Sequence, residues 1–273
     1  MRTISLFFVL AFACAAVFAA GAQTEAAPET AAKAEADGSE TRYTLRYQFH
    51  PGETIRWNVE QKSRIRTTVS GTTQVTEMVS KSVKAWRVTE LQDDGTATFE
   101  HLVESVDMWN KFSGRQEIRY NSETDETPPP GFESVAESIG KPSAVVTMNT
   151  KGEILKRRRK AVKGAAQNED GQMTIPLPEE PISVGHTWSF RYGVDVPLEN
   201  GTVKKIKMLQ TFELASVKTG VATIEVACKI LTPIHDPALE AKVMQREQSG
   251  TVRFDVDAGR VISQQMDLDL SLI

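Results

Sequence analysis

The segment Tyr43-Thr44-Leu45-Arg46-Tyr47-Gln48-Phe49 alternates strictly, with apolar or aromatic residues at odd positions and polar residues at even positions. A period of two is typical of a β-strand with one face on a core and the other in water. The alternation continues through Ile55, Trp57 and Val59 after a turn at Pro51-Gly52. We therefore predict that the folded region begins with antiparallel strands.

Two longer β-rich runs follow at 75–89 and 96–109, and they meet at Asp93-Asp94-Gly95. Asp-Gly supplies the positive φ angles that a tight hairpin requires, and Ser70-Gly71-Thr72 predicts another hairpin one strand earlier. Runs of this length favour a curved sheet over a flat one.

Two short helices are predicted from apolar residues spaced three and four positions apart. The first covers 132–139, after the three prolines 128–130 and before Gly140. The second covers 236–243, with Asp236 as N-cap, Pro237 at the first helical position, and Leu239 and Val243 on one face. A hairpin turn follows each helix, at 149–152 and at 257–259.

The same landmarks recur in both halves of the chain: 52–57 with 185–190, 95–100 with 220–225, and 148–155 with 254–262. A long-period repeat indicates related units that share one core, although three unrelated hairpins with similar turn sequences would give the same pattern. The predicted fold is mainly β (α+β): a long antiparallel curved or barrel-like sheet from two similar halves, with two short helices. We place the halves at 41–160 and 173–273, with a linker at 161–172.

Residues 1–22 are predicted to be a signal peptide, because Arg2 precedes an apolar stretch and a small-residue site with cleavage between Ala22 and Gln23. We expect an exported protein, periplasmic or extracellular, or membrane-tethered if the signal is not cleaved. Residues 23–40 contain no large apolar residue and are predicted to be a disordered tether.

Without the signal, Cys228 is the only cysteine, which excludes an intramolecular disulfide and favours a buried thiol. The formal net charge of −4 argues against nucleic-acid binding.

The sequence predicts no catalytic, cofactor-binding or metal-binding residues. It contains no Gly-x-Ser-x-Gly elbow, phosphate-binding glycine loop or Cys-x-x-Cys pair. The stretch 255–259 lacks the ligands of a calcium loop and is predicted to be a turn. The histidines are scattered and are predicted to lie at surfaces or in turns: His50, His101, His186 and His235. His186 and His235 are predicted to be loop residues that either line the mouth of a binding site or cap an element of secondary structure.

The sharpest charge feature is a run of five cations, Lys156, Arg157, Arg158, Arg159 and Lys160. We interpret it as a solvated strand end entering the linker. The alternative is contact with anionic lipid headgroups or polyanions.

Several stretches together resemble a group of uncharacterised secreted proteins of planctomycete-type bacteria: 43–57, 93–100, 114–117, 120–122 and 250–255. The resemblance covers nearly everything after the tether. It implies an exported β-rich protein and brings no activity, substrate or catalytic residue. Members of the group continue past the end of this chain, so we expect either a truncated chain or a last strand that another subunit completes.

Three functions from different classes are compatible with these features. The leading hypothesis is a non-catalytic exported envelope protein that binds an apolar ligand, such as a small molecule or lipid, or a protein partner on a concave β-sheet. The alternative is an assembly module acting through strand edges, above all through one apolar face of the C-terminal strand: Ile262, Met266, Leu268, Leu270 and Leu272. The third is a hydrolase-type enzyme without a recognisable motif.

Overall fold

The structure is a computed structural model that describes residues 41–69, 71–160, 174–198, 201–234, 239–240, 243 and 247–269. The predicted signal peptide with its Ala22–Gln23 cleavage site, the tether and the linker lie outside these residues, as do His235, Asp236, Pro237 and residues 270–273. None of the helices in the described ranges is long and apolar enough to span a membrane.

The first sheet is antiparallel and has the strand order β1-β2-β3-β5-β6, with β4 beside β3. Its strands are β1 (Thr54–Val69), β2 (Thr72–Leu91), β3 (Ala97–Phe112), β4 (Ile118–Asn121), β5 (Ala144–Met148) and β6 (Ile154–Arg159). The predicted hairpins at Gly71 and Gly95 are confirmed, and both glycines have positive φ angles of 80° and 81°.

The second sheet is also antiparallel, with the order β11-β10-β9-β8-β7. Its strands are β7 (Thr187–Pro197), β8 (Val203–Lys218), β9 (Val221–Ile230), β10 (Ser249–Asp255) and β11 (Arg260–Asp267). The predicted mainly β, antiparallel fold is confirmed, and the relation of its two halves as repeats stays a prediction. Within the described residues the strands divide into two sheets, and neither closes on itself.

Each sheet carries a short helical segment. The first predicted helix is confirmed as α1 (Glu133–Ser138). In the second predicted helix, Leu239, Glu240 and Val243 are helical, and Leu239 and Val243 are buried as expected.

The ladders of the two sheets also share their irregularities. The β2–β3 register shifts between Val88 and Glu90, and the β8–β9 register shifts between Leu214 and Ser216. The last strand pair of each half contains a further shift, at Thr147/Met148 in β5–β6 and at Arg253/Phe254 in β10–β11. A β-bulge of this kind places one extra residue on one strand. The two halves therefore correspond in strand order and in the position of these bulges, whereas a further shift at Val83/Lys84 in β2–β3 has no counterpart in the described β8–β9 ladder.

Residues 41–49 form an extended segment, here called the N-terminal segment, that lies between the turns of both sheets. Leu45, Tyr47 and Phe49 are buried, which confirms the alternation. The prediction that this segment is a ladder strand is wrong, because its partners are isolated backbone groups of loops. Tyr47 N–H donates to Thr150 O at 2.7 Å, and Gln48 N–H donates to Gly259 O at 2.9 Å. The apolar alternation correctly indicates which side chains are buried, but it does not show what the backbone pairs with. The turns beside this segment cannot supply the continuous row of backbone hydrogen-bond partners that a ladder strand needs.

The inner faces of both sheets and the N-terminal segment share one hydrophobic core. Phe99, Phe212 and Phe254 are fully buried within it. Two smaller clusters cover the remaining parts of these faces. One joins Val106 and Tyr120 to Phe132 at the start of α1, and the other joins Ile206 and Met208 to Leu239 and Val243. The space between the sheets is thus filled by the chain's own side chains.

The predicted apolar face of the C-terminal strand is wrong over its described part. Met266 is buried, whereas Ile262 is 46% exposed and Leu268 is 40% exposed. The bulge explains the difference, because Phe254 pairs with Val261 while Arg253 pairs with Ser263, which leaves Ile262 out of the alternation. Leu270 and Leu272 lie outside the described residues.

Candidate functional site

His101 lies on the inner face of β3, and the prediction that it is a surface or turn histidine is wrong. It pairs with Trp86 across β2 and β3 and is 6% exposed. Within the described residues its Nε2 atom has no hydrogen-bond partner. The alternation of β3 could have indicated this burial, because His101 continues the face of the buried residues Ala97 and Phe99 without a register shift.

Burial and two neighbouring cations keep His101 neutral. Desolvation, together with the positive charges of Lys84 and Arg157, lowers the pKa of His101 to about 4. Lys84 is itself only 5% exposed. A neutral imidazole among cations is unsuited to general base catalysis near neutral pH, because its pKa lies far below the working pH.

The five-cation run lies on β6, the last strand of the first sheet, where its strand residues Lys156 to Arg159 are all exposed. The interpretation as a solvated strand end is therefore confirmed. Arg157 and Arg159 are opposite the buried residues Val146 and Ala144, so they share the inner face. Lys156 and Arg158 alternate onto the outer face, beside Lys160, whose ammonium lies 2.7 Å from Glu100. Both faces of this edge are positively charged.

The ladder between β5 and β6 fixes which backbone groups of β6 face outward. Lys160 N–H donates to Ser143 O at 2.8 Å, which identifies a hydrogen-bonded pair. Such pairs alternate along an antiparallel ladder, so Arg158 is also hydrogen-bonded to β5. The N–H and C=O groups of Arg157 and Arg159 consequently point away from β5.

The larger of two pockets, here called the β7 pocket, has a volume of about 520 Å³ and lies where the chain enters β7. It is lined by Arg42, Glu153, the stretch 176–183, His186, Trp188, Ser189 and Phe190. His186 is an exposed loop residue that lines this pocket, and whether it serves a site or only caps structure stays a prediction. The period-two spacing of Trp188 and Phe190 could have indicated the aromatic wall, whereas the proline-rich stretch gave no such signal.

Trp188 is held rigidly in the wall of the β7 pocket. Its indole N–H donates to Pro176 O at 2.8 Å. One face of the ring stacks on Phe212, with 5.3 Å between ring centroids and 19° between planes. Phe190, two residues along the same strand face, stacks on Tyr192 at 6.2 Å. Trp188 thus packs on the core through Phe212 and also lines the pocket.

The second pocket, of about 360 Å³, crosses the middle of β1, β2 and β3. Its charged residues already have neighbours of opposite sign. Glu60 lies 3.2 Å from Lys62 and 3.9 Å from Lys81, and Asp107 lies 2.9 Å from Arg119. Its charges are therefore largely neutralised, and it is the weaker candidate for a binding site.

The remaining sequence-based candidates lie apart from both pockets. Cys228 is buried, and desolvation raises the pKa of its thiol. Asp255 accepts hydrogen bonds from the N–H groups of Asp257 and Ala258, which confirms a turn. No group of three or more His, Cys, Asp or Glu side chains suited to a metal ion occurs in the described part of the chain.

Comparison with known proteins identifies no relative: neither a family model, nor a curated protein, nor a solved structure matches the chain. The resemblance to secreted planctomycete-type proteins stays a prediction.

Proposed function

We propose that this protein is a non-catalytic, exported binding protein that holds a protein partner by strand addition to β6. The observation that carries the proposal is that β6 ends its sheet within the described residues and exposes all six of its side chains. Export, to the periplasm or the cell exterior, is supported by the composition of residues 1–22. The strands β1, β7 and β11 also end their sheets within the described residues, and β11 is the one that corresponds to β6.

The chemistry of β6 selects an acidic, extended segment as its occupant. An added strand would lie on the side of β6 that faces away from β5. Lys156 and Arg158 add positive charge on the outer face. A cationic edge also discourages pairing with neutral or basic strands, including those of a second copy. Complementary charge therefore gives the edge its specificity.

The filled interior gives less support to an apolar ligand held between the sheets. Such a ligand needs space on a concave face, and Phe99, Phe212 and Phe254 occupy the region where the inner faces meet. A pocket for a ligand of this kind would require displacement of fully buried side chains, which costs several kcal/mol per side chain.

We also infer that the two halves arose by duplication. The inference is supported by the matched strand order and matched bulges of the two sheets. It is further supported by the pairing of Ala97 with Met148 and of Ala222 with Phe254, which are the residues that the sequence landmarks align.

The proposal is tested by titrating the protein with a labelled octapeptide of alternating glutamate and valine. We expect saturable binding, and we expect the same peptide with a central proline to lose it, because proline removes a donor needed for strand pairing. Equal binding of the proline peptide, of anionic vesicles or of a polyanion would show that the site recognises charge alone and would overturn strand addition.

Three variants separate the backbone from the charge. Arg157→Pro removes an outward N–H and should abolish binding while it preserves the β5–β6 hydrogen bonds. Arg157→Ala keeps the N–H group and should weaken binding only about two- to fivefold, as expected for one exposed charge. Arg158→Pro removes an inward N–H and should destabilise the strand itself, which is visible as a lower Tm.

A further inference from the structure

The β7 pocket is lined mainly by β7 and the stretch that precedes it, with Arg42 and with Glu153, the residue before β6. Its volume of about 520 Å³ lies within the roughly 300–1,000 Å³ range of small-molecule sites. Trp188 is fixed in its wall by Phe212 and by Pro176 O, and the lining residues Pro178 and Ile182 are buried. The cavity thus combines the size of a small-molecule site with a fixed aromatic side chain.

The charged groups around the pocket leave one carboxylate without a neighbouring cation. Three carboxylates line it, those of Glu153, Glu179 and Glu180, together with the guanidinium of Arg42. The ammonium of Lys151 lies beside two of them, 2.8 Å from Glu179 and 3.7 Å from Glu153. The carboxylate of Glu180 therefore remains to attract a cation.

The three carboxylates are not equivalent. Glu179 lies 2.8 Å from the ammonium of Lys151, and this neighbour lowers the pKa of Glu179. Glu153 lies 3.7 Å from the same ammonium and also accepts a hydrogen bond from Asn149. Glu180 is exposed, and its carboxylate makes no hydrogen bond or ion pair with the described residues. Glu180 is thus the carboxylate best placed to meet a ligand charge.

Aromatic walls favour organic cations over metal ions. A cation over the face of an indole is attracted by the ring quadrupole, and tryptophan is the strongest of the aromatic residues in this role. Phe190 lies two residues further along the same face of β7 and provides apolar surface for the ligand's carbon atoms. We propose that the β7 pocket binds a small organic ammonium compound, with its cationic group against Trp188 and Glu180.

The test uses choline and its neutral isostere 3,3-dimethylbutan-1-ol, which have nearly the same shape and differ in charge. Titrations of the full chain are followed by the ¹⁵N-indole signal of Trp188, which Trp188→Phe assigns among the tryptophans. We expect choline to shift this signal saturably and the isostere to leave it unchanged. Equal shifts by both compounds would show an apolar pocket, and an unsaturated choline response would exclude a site; either result overturns the proposal.

Variants give the residue-level test. Glu180→Gln keeps the shape of the side chain and should weaken choline binding about two- to fivefold, the effect of one exposed charge pair. Trp188→Leu should weaken it at least about tenfold, since the cation–π contact is lost together with apolar surface. Glu90→Gln, at an exposed carboxylate of β2 far along the chain from the pocket, is the matched control and should bind as the wild type.

Two further arms complete the experiment. Thermal unfolding of Trp188→Leu checks that the variant is folded, and if it is not, Glu180→Gln alone decides.

N-acetyl-lysine methylamide stands for a lysine side chain of a protein. If it binds more tightly than choline, the site recognises a protein and the assignment to a free ammonium compound is wrong. Because Arg157→Pro should leave choline binding intact, failure here is distinguishable from failure of strand addition at β6.

Discussion

The Tyr47 hydroxyl and the backbone of Ile175 are hydrogen-bonded in both directions. The hydroxyl donates to Ile175 O at 3.1 Å and accepts from Ile175 N–H at 2.8 Å. Both residues are 2% exposed, and desolvation raises the pKa of Tyr47 far above its usual value, so the hydroxyl remains protonated. This pair joins the N-terminal segment to the stretch that leads into β7.

Tyr47→Phe should lower the free energy of unfolding by about 3 kcal/mol, because a buried N–H and a buried C=O both lose their partner. The measurement is urea denaturation, with Tyr43→Phe as the control, since Tyr43 is only half-buried. A loss below about 1 kcal/mol would indicate that water replaces the hydroxyl.

Gly152 and Gly259 should tolerate alanine far less well than other turn glycines. A Cβ atom would lie 2.5 Å from Ile175 O at Gly152 and 2.7 Å from Arg46 O at Gly259. The control is Gly52→Ala, where φ is also positive at +73° but no atom lies within 4 Å. Gly52→Ala should cost about 1 kcal/mol, and the other two variants at least about 2 kcal/mol more because of overpacking. Equal losses in all three would contradict a close approach.

His101 should make the protein less stable as the pH falls from about 6.5 to about 4. The folded-state pKa of about 4 lies below the usual value of 6.5, so the unfolded chain binds more protons in this window and stability rises with pH. The loss amounts to about 3 kcal/mol, in line with the size of the shift. His101→Leu should flatten this part of the stability profile, whereas His186→Gln, at an exposed histidine, should not.

The Cys228 thiol should react slowly in the folded protein. It is 9% exposed, and desolvation raises its pKa, so little thiolate is present near neutral pH. Alkylation with iodoacetamide, followed by mass spectrometry of the peptide that contains Cys228, should show at least about a hundredfold faster reaction in denaturant, as expected if reaction requires opening of the fold. Similar rates in both states would place the thiol at an accessible surface.

The regular parts of the fold were accessible from the sequence because they depend on local rules. Gly71 and Gly95 mark hairpins through their positive φ angles, and the alternation at Leu45, Tyr47 and Phe49 reports burial correctly. Such signals involve residues that are neighbours in the chain, and each can be interpreted without knowledge of its distant partners.

The bulge in β11 was not accessible, and it accounts for one error. The extra residue turns Ile262 away from the core, whereas His101 follows the regular alternation of Ala97 and Phe99, so its burial was accessible from the sequence. A single inserted residue reverses the face of every position beyond it, while the apolar pattern of the sequence hardly changes.

The sequence by itself determined the β class, the main hairpins, the buried state of Cys228 and the exposed, cationic character of 156–159, because composition and period act locally. Only the tertiary structure decided that two sheets share one core, that the N-terminal segment lies between their turns, and that Trp188 and Glu180 line one pocket. Those relationships join residues far apart in the chain, and they depend on how twisted sheets pack their inner faces, which local pattern does not encode.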